Sequence, residues 1–170
     1  MSDLPSFSKS AVIVFKRIIA ETKGFGLEIE EKDFSRPWGG FVRFTEDSFE
    51  RFLTAYWEGV DVPKVSAKRD PKILMAAPHQ RLSLQRHRRR SEQWRCIDGP
   101  AEVLVGENPD DLESHRIASG ETIQIPCGHA HRLVAPGDYW VRVAEIWEHV
   151  DPETPSDEDD IERLQDDYGR

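Results

Sequence analysis

The alternation of apolar and polar positions divides the chain into a helical N-terminal part and a longer part built of short strands. Apolar residues recur at helical spacing between residues 10 and 23, and Gly24 follows as a stop signal. A short strand is predicted for residues 25–30. A second helix is predicted for residues 45–57, where Thr45 stands at the N-cap position ahead of an apolar face.

From Lys72 onward the pattern changes to short β-rich runs separated by turns that contain Gly, Pro, Asn or Asp. The runs are KILMAAP, RLSLQRH, QWRCI, AEVLVG, ETIQIP, HRLVA and DYWVRVAEIWEH. Many short strands at this spacing predict an antiparallel sandwich or barrel. Residues 157–168 are then predicted as a short helix with Ile161 and Leu164 facing inward, and a solvated acidic tail is the alternative.

Acidic residues are concentrated at the C-terminal end. The net charge is −9, and residues 151–170 contain nine acidic and two basic residues, so this acidic segment alone carries −7. The rest of the chain is nearly neutral, which argues against a nucleic-acid partner because such proteins need a basic face. No apolar run is long enough to span a membrane, and no basic stretch precedes the apolar run AVIVF as in a signal peptide. We therefore expect a cytoplasmic protein that binds a small molecule.

Four residues with metal-binding side chains lie in two stretches of the strand-rich part: Gln85, His87 and Glu92 in the first, and His131 in the second. Residues two apart in a strand point to the same face, so Gln85 and His87 are expected to project together. Two imidazoles, a carboxylate and an amide oxygen make a nitrogen and oxygen site for one divalent metal ion. Zn is the first candidate, and Mn, Fe, Co and Ni suit the same donor set.

The spacing of these residues resembles the two motifs of the cupin superfamily, with Gln85 where the first histidine usually stands. The segments LSLQxH, ExW, IPxGxxHRL, RPWG and EDDIERLQDDYGR narrow the resemblance to the cupin domain of type II mannose-6-phosphate isomerases, in its stand-alone form. The resemblance implies a mainly β, cupin-type antiparallel β-barrel, also described as a double-stranded β-helix or jelly roll. N-terminal helices and a short C-terminal helix are expected to accompany the barrel.

The resemblance also implies a division of the chain. Residues 34–170 are expected to form the cupin domain, with a helical insertion at 46–58 and the acidic segment at 151–170. Residues 1–33 are expected to supply a helix and a strand that pack on the barrel.

The activity implied by the resemblance is that of a metal-dependent aldose–ketose isomerase. Its substrate is expected to be mannose 6-phosphate or another sugar phosphate, such as a heptose phosphate. The reaction needs a base poised near neutral pH. Glu145 is the first candidate because it alternates with Val141, Val143 and Trp147, and burial among apolar neighbours disfavours its charged form. The opposite strand register, or an ion pair between Glu145 and an arginine, is the alternative; Glu92 is the second candidate for moving the proton.

Basic side chains near the motifs are candidates for binding the phosphate group of a substrate, and arginine forks suit phosphate oxygens. The candidates are Arg90, Lys72, Arg132, Arg36 and Arg170. Arg36 and Arg170 are implied only by the segments RPWG and YGR of the resemblance. A structural role is the alternative for each of the five.

Arg88, Arg89 and Gln93 occupy positions at which the family carries histidines. These differences leave the four ligand positions intact and favour, as an alternative, a cupin that binds a sugar or sugar phosphate without catalysis. A cupin oxygenase is a third hypothesis, against which Gln85 argues, since those enzymes hold iron with histidines or with histidines and a carboxylate. A homodimer is expected, partly from the resemblance, because cupins commonly pair through sheet edges.

Overall fold

The computed structural model describes residues 9–63 and 68–169. The helices are α1 (Lys9–Gly24) and α2 (Phe49–Tyr56), and the strands are β1 (Ile29–Arg36), β2 (Gly39–Phe44), β3 (Lys72–Ala76), β4 (Leu84–Arg86), β5 (Arg90–Asp98), β6 (Ala101–Gly106), β7 (Glu113–Ile117), β8 (Thr122–Ile125), β9 (Ala130–Val134), β10 (Val141–His149) and β11 (Glu162–Gln165). No helix in the described ranges is both long and apolar enough to cross a membrane.

The strands form two antiparallel sheets. One has the order β1-β2-β3-β10-β5-β8 and the other the order β11-β4-β9-β6-β7. Apolar side chains from both sheets, such as Trp94 and Val143 from the first and Val103 and Leu133 from the second, share one buried cluster. The two sheets therefore pack face to face, and the predicted mainly β, cupin-type architecture is confirmed.

The outer face of the six-stranded sheet is covered by the two helices. Phe15 and Ile18 of α1 and Phe52 of α2 share a second buried cluster with Ala144 and Ile146 of β10. Each large apolar side chain buried in this way contributes about 1.5–3 kcal/mol relative to exposure. The central strand β10 is thus covered on both faces, which explains why it is buried along nearly its whole length.

Alternation along β5 and β10 decides which side chains face the space between the sheets. In β5 every second residue from Arg90 onward is buried, as expected for a strand with one interior face. In β10, Val141 and Val143 belong to the cluster between the sheets, whereas Ala144 and Ile146 belong to the cluster under the helices. Glu145 therefore lies on the interior face.

Several predicted boundaries differ from the structure. The strand predicted for residues 25–30 begins only at Ile29, because Gly26 adopts a left-handed conformation with φ of 69° and turns the chain. The helix predicted for residues 45–57 consists of a 3₁₀ turn, Glu46–Ser48, followed by α2. Thr45 makes no side-chain capping hydrogen bond to the backbone; its hydroxyl instead lies 3.1 Å from that of Ser48.

The predicted C-terminal helix is wrong, because residues 162–165 form strand β11. This strand pairs antiparallel with β4, whose short edge otherwise leaves backbone groups unpaired. Arg86 of β4 holds the paired Glu162 with two hydrogen bonds of 2.9 and 3.0 Å. The pairing with β4 thus overrides the local helical pattern.

Strand β7 was not predicted from the sequence, since it carries one buried apolar residue, Ile117, on an otherwise exposed edge. The predicted division between residues 33 and 34 falls inside β1, which pairs with β2 along its length. The division into two parts stays a prediction.

Candidate metal centre

Three of the predicted ligands meet between the sheets. His87 follows β4, Glu92 lies in β5 and His131 lies in β9. His87 Nε2 is 3.1 Å from Glu92 Oε1, and His131 Nε2 is 3.4 Å from Glu92 Oε2. All three side chains are buried, and one ligand atom from each lies within 4.8 Å of the others. The structure therefore contains a compact His–Glu–His group.

Both imidazole rings are oriented through their Nδ1 atoms. His87 Nδ1 lies 2.5 Å from the carbonyl oxygen of Asp160, and His131 Nδ1 lies 3.0 Å from that of His129. A carbonyl oxygen only accepts hydrogen bonds, so each Nδ1 carries the proton and donates it. Each Nε2 then faces Glu92 and is the ring atom left for a metal ion, which is the arrangement that metal-binding histidines use.

Gln85 stands at the edge of this group. It pairs across the sheet with His131, and its Nε2 lies 3.5 Å from His87 Nε2. Its carbonyl oxygen accepts a hydrogen bond of 3.0 Å from the Ser83 hydroxyl. The side chain lines the same pocket as His87 and Glu92, so the structure brings all four predicted ligands together.

Arg90 contacts the His–Glu–His group directly. Its Nε donates to Glu92 Oε1 at 2.9 Å, its Nη2 lies 3.2 Å from His87 Nε2, and its guanidinium stacks 3.5 Å from the centre of the Trp147 ring. Burial raises the pKa of Glu92, but His87 and Arg90 outweigh that effect and hold it well below its usual range. Arg90 thus fixes Glu92 as a carboxylate.

Glu145 is the second buried carboxyl group of the pocket. Trp147 Nε1 donates to Glu145 Oε1 at 2.8 Å, and Trp94 Nε1 donates to Glu145 Oε2 at 3.1 Å. The same Trp94 nitrogen lies 3.1 Å from Glu92 Oε2, so one indole N–H bridges the two carboxyl groups. Burial and the negative charge of Glu92 raise the pKa of Glu145 to about 7, against the opposing effect of Lys72 and Arg90.

One row of paired residues crosses the six-stranded sheet beside this group. Arg43 of β2 stands opposite Lys72 of β3, Lys72 stands opposite Glu145 of β10, and Glu145 stands opposite Trp94 of β5. Directly opposed residues of antiparallel strands project to the same face. The sheet register therefore places Arg43, Lys72 and Glu145 side by side along the wall of the pocket.

The pocket has a volume of about 430 Å³, which is within the range of small-molecule sites. Five cationic and four carboxylic side chains of the described residues line it. Lys72 is the most enclosed of the cations outside the ligand group: its Nζ lies 5.3 Å from the ring centre of Phe41 and 5.0 Å from that of Trp147. An anionic ligand of sugar-phosphate size fits this composition.

The other predicted phosphate ligands are placed differently. Arg36 lines the pocket, where it pairs with Asp33 at 2.8 Å. Arg132 points to the C-terminal strand and donates to the carbonyl oxygen of Gln165 at 3.2 Å, outside the pocket lining. Strand alternation explains this, since its neighbour His131 faces Glu92 between the sheets. Arg170 lies outside the described residues.

Arg43 and Glu158 also line the pocket and were missed from the sequence. Arg43 could have been found by alternation, because it stands two residues after Phe41, which lines the same pocket. Glu158 carried no such signal, since it lies in an irregular stretch between β10 and β11.

The donor set fits a divalent metal ion. His131 Nε2 is buried and has no hydrogen-bond partner among the described residues, which is costly unless another group binds it. Two neutral imidazoles, a carboxylate and an amide are ligands that Zn²⁺ and the neighbouring divalent transition metals share.

Relatives with curated names cover most of this chain but are much longer. The chain is 32% identical over 114 residues to the alginate biosynthesis protein AlgA of Pseudomonas aeruginosa, with 67% of this chain and 22% of that protein covered. It is 32% identical over 126 residues to the xanthan biosynthesis protein XanB of Xanthomonas campestris, with 74% and 25% covered. It is 27% identical over 164 residues to the mannose-1-phosphate guanylyltransferase of Escherichia coli, with 95% and 28% covered. The chain thus spans about a quarter of these relatives.

Solved structures with low sequence identity share the fold. The capsular polysaccharide assembling protein CapF of Staphylococcus aureus matches with a TM-score of 0.54 at 17% identity, covering 82% of this chain and 34% of that chain. Vicilin of Corylus avellana matches with a TM-score of 0.55 at 15% identity, covering 79% and 34%. These likenesses support the two-sheet architecture.

The prediction that this chain is an aldose–ketose isomerase of sugar phosphates is contradicted by the relatives. They are named as a mannose-1-phosphate guanylyltransferase and as alginate and xanthan biosynthesis proteins, and they are not simple isomerases. The motifs that led to the prediction describe the pocket, whereas the relatives that this chain matches are named for other activities. The pocket therefore does not by itself specify that reaction.

Residues 29–166 match the family described as mannose-6-phosphate isomerase C-terminal. The match includes every strand, the His–Glu–His group, Gln85 and Glu145. It covers far more than half of the sequence. The chain belongs to the mannose-6-phosphate isomerase C-terminal family.

Proposed function

We propose that this chain is a metal-dependent enzyme domain of sugar-phosphate metabolism in which Glu145 transfers a proton to or from a phosphorylated sugar. The observation that carries the proposal is the placement of Glu145: it lies buried in the same pocket as the His–Glu–His group and beside Lys72. One relative has an enzyme name that contains a sugar phosphate, and this name supports the substrate class. Aldose–ketose interconversion is not part of the proposal.

The metal would be held by Gln85, His87, Glu92 and His131, and Zn²⁺ is the first candidate. When bound, it would supply a Lewis acid for a substrate hydroxyl or carbonyl oxygen. Arg90 keeps Glu92 ionised, and the carbonyl oxygens of Asp160 and His129 orient the two imidazole rings so that their Nε2 atoms face Glu92.

Glu145 meets the requirements of an acid–base group. Its pKa of about 7 lets it hold or release a proton near neutral pH, where general acid–base catalysis is most efficient. The two indole N–H groups fix the carboxyl group, and Lys72 Nζ, 3.9 Å away, favours its charged form. Lys72 is the cation of the pocket that we assign to the phosphate group of the ligand.

Solvent exchange tests this function without presuming a product. The chain is incubated with Zn²⁺ in deuterated water together with a panel of hexose, pentose and heptose phosphates. We expect deuterium to appear at a carbon-bound position of at least one sugar phosphate, detected by NMR. Glu145→Gln should lower the rate by about 10²- to 10⁴-fold, the usual contribution of an acid–base group, while metal content stays at the wild-type level.

Glu148→Gln is the matched control, because Glu148 lies on the same strand outside the pocket lining and bonds Gln93 instead. It should exchange at the wild-type rate. Metal binding with no exchange in any member of the panel, or an unchanged rate in Glu145→Gln, would contradict the proposal. The predicted homodimer and cytoplasmic location stay predictions.

A further inference from the structure

The stretch between β10 and β11 is anchored at several points near the ligand group. Arg90 Nη1 donates to the hydroxyl of Ser156 and to the carbonyl oxygen of Asp157, both at 2.9 Å. The carboxylate of Asp160 accepts hydrogen bonds of 2.9 and 3.0 Å from the backbone amides of residues 88 and 89. These contacts hold the acidic segment against the pocket.

Glu158 extends from this stretch into the pocket itself. Its Oε1 lies 2.7 Å from Lys72 Nζ and 3.8 Å from Arg43 Nη1. The Glu158 side chain is 47% exposed, whereas that of Lys72 is 8% exposed. A half-exposed carboxylate from an irregular segment therefore serves as the hydrogen-bond partner of an enclosed cation.

Lys72 and Arg43 are fixed by the sheet, in contrast to Glu158. They stand opposite each other in β3 and β2, and Lys72 is enclosed by the faces of Phe41 and Trp147. Burial raises the pKa of Glu158, but Lys72 and Arg43 outweigh that effect and hold it below its usual range. Two fixed cations thus face the pocket, and a carboxylate occupies the place where they converge.

We propose that Lys72 and Arg43 form the anion subsite of the pocket and that Glu158 is an internal competitor which a ligand phosphate displaces. The inference rests on the proposed function in taking the ligand to carry a phosphate group. In this arrangement Arg43 binds the ligand phosphate, and competition from Glu158 lowers the affinity of the pocket for that phosphate. The anchors at Ser156, Asp157 and Asp160 are separate from the Glu158 carboxylate, so the phosphate takes the place of the side chain and not of the whole segment.

Electrostatics favour the displacement of the Glu158 carboxylate by a phosphate group. A phosphate monoester carries about two negative charges at neutral pH and three acceptor oxygens, whereas Glu158 offers one charge and two oxygens. Partly exposed ion pairs are weak, so Glu158 holds its place only until a stronger anion arrives.

Binding of inorganic phosphate to the full chain, measured by isothermal titration calorimetry at constant ionic strength, tests the inference. Glu158→Gln should bind phosphate up to about fivefold more tightly than the wild type, the scale of one partly exposed ion pair. Lys72→Gln and Arg43→Gln should each weaken binding in the wild-type and in the Glu158→Gln background.

Glu162→Gln is the matched control. The substitution removes the same charge from the same acidic segment, but Glu162 pairs with Arg86 and Arg88, which lie outside the pocket lining. It should leave phosphate affinity unchanged. Equal gains in both glutamine variants, no gain in Glu158→Gln, or undiminished binding in Lys72→Gln or Arg43→Gln overturns the inference. The titration requires neither metal nor turnover, so its outcome is independent of the sugar-phosphate exchange experiment.

Discussion

The interior wall formed by β5 and β10 and the acidic segment both present carboxylates to cations, but they do so by different means. In the wall, Glu92 and Glu145 are buried and positioned by sheet register, and their pKa values are driven apart. In the acidic segment, Glu158 and Glu162 are partly exposed and positioned by basic side chains, and both pKa values are lowered. Burial allows one carboxyl group to hold a proton near neutral pH, whereas surface pairing only favours the charged form.

The largest loss of folding stability is expected from Glu92→Ala, in the interior wall. The change leaves Arg90 buried beside His87 without its carboxylate, and breaking a buried charge pair costs about 3–5 kcal/mol. Unfolding in urea after treatment with chelator measures this loss, and the metal content of untreated protein should fall as well. Glu102→Ala, on the strand face that is less buried, should stay within about 0.5 kcal/mol of the wild type. A small loss for Glu92→Ala would mean that the wall does not depend on this pair.

A smaller loss of folding stability is expected from Trp94→Phe. The substitution keeps the buried ring but removes the N–H group that lies 3.1 Å from both Glu92 Oε2 and Glu145 Oε2. Leaving buried acceptors without a donor costs about 1–3 kcal/mol. Urea unfolding checks the stability, and a loss no larger than that of an exposed substitution would show that the indole does not hold the two carboxyl groups.

The smallest change in stability is expected in the acidic segment, and it depends on pH. The hydrogen bonds from Arg86 and Arg88 lower the pKa of Glu162 to about 2. A carboxylate with a lowered folded-state pKa stabilises the fold above its unfolded pKa, near 4.5, and this contribution is lost as the pH falls towards 2. We therefore expect the pairing of β11 with β4 to weaken over that interval.

NMR titration of the Glu162 carboxyl carbon checks this directly. The midpoint should lie near 2 in the wild type and should move up towards the ordinary value in Arg86→Met, which removes the first cause of the shift. A wild-type midpoint near 4.5 would show that the arginines do not hold this carboxylate.

Sequence reasoning succeeded where regular geometry decides the structure. The two-sheet architecture followed from the spacing of strand-like runs, and alternation in β10 was enough to place Glu145 with Val141 and Val143 on the interior face. The grouping of His87, Glu92 and His131 followed from motif spacing, since β4, β5 and β9 bring these side chains to fixed points of the fold. Their role as metal ligands stays a prediction.

Sequence reasoning failed where long-range pairing decides. The residues of β11 have a pattern that suits a helix, and only the free edge of β4 with Arg86 selects the strand. Glu158 belongs to a polar stretch that water would solvate equally well, so its contact with Lys72 depends on how Ser156 and Asp160 fix the chain. The motifs also did not specify the reaction, because the relatives that this chain matches are named for other activities.

The proposed function requires a metal ion held between the sheets by side chains from three strand regions. Anomalous diffraction at the zinc edge, from crystals of the full chain grown with Zn²⁺, tests this directly. We predict one strong peak about 2.0–2.2 Å from His87 Nε2, His131 Nε2 and a Glu92 carboxylate oxygen. A pocket without zinc, in which Arg90 still donates to Glu92 while zinc is bound elsewhere or absent, would contradict the proposed metal site.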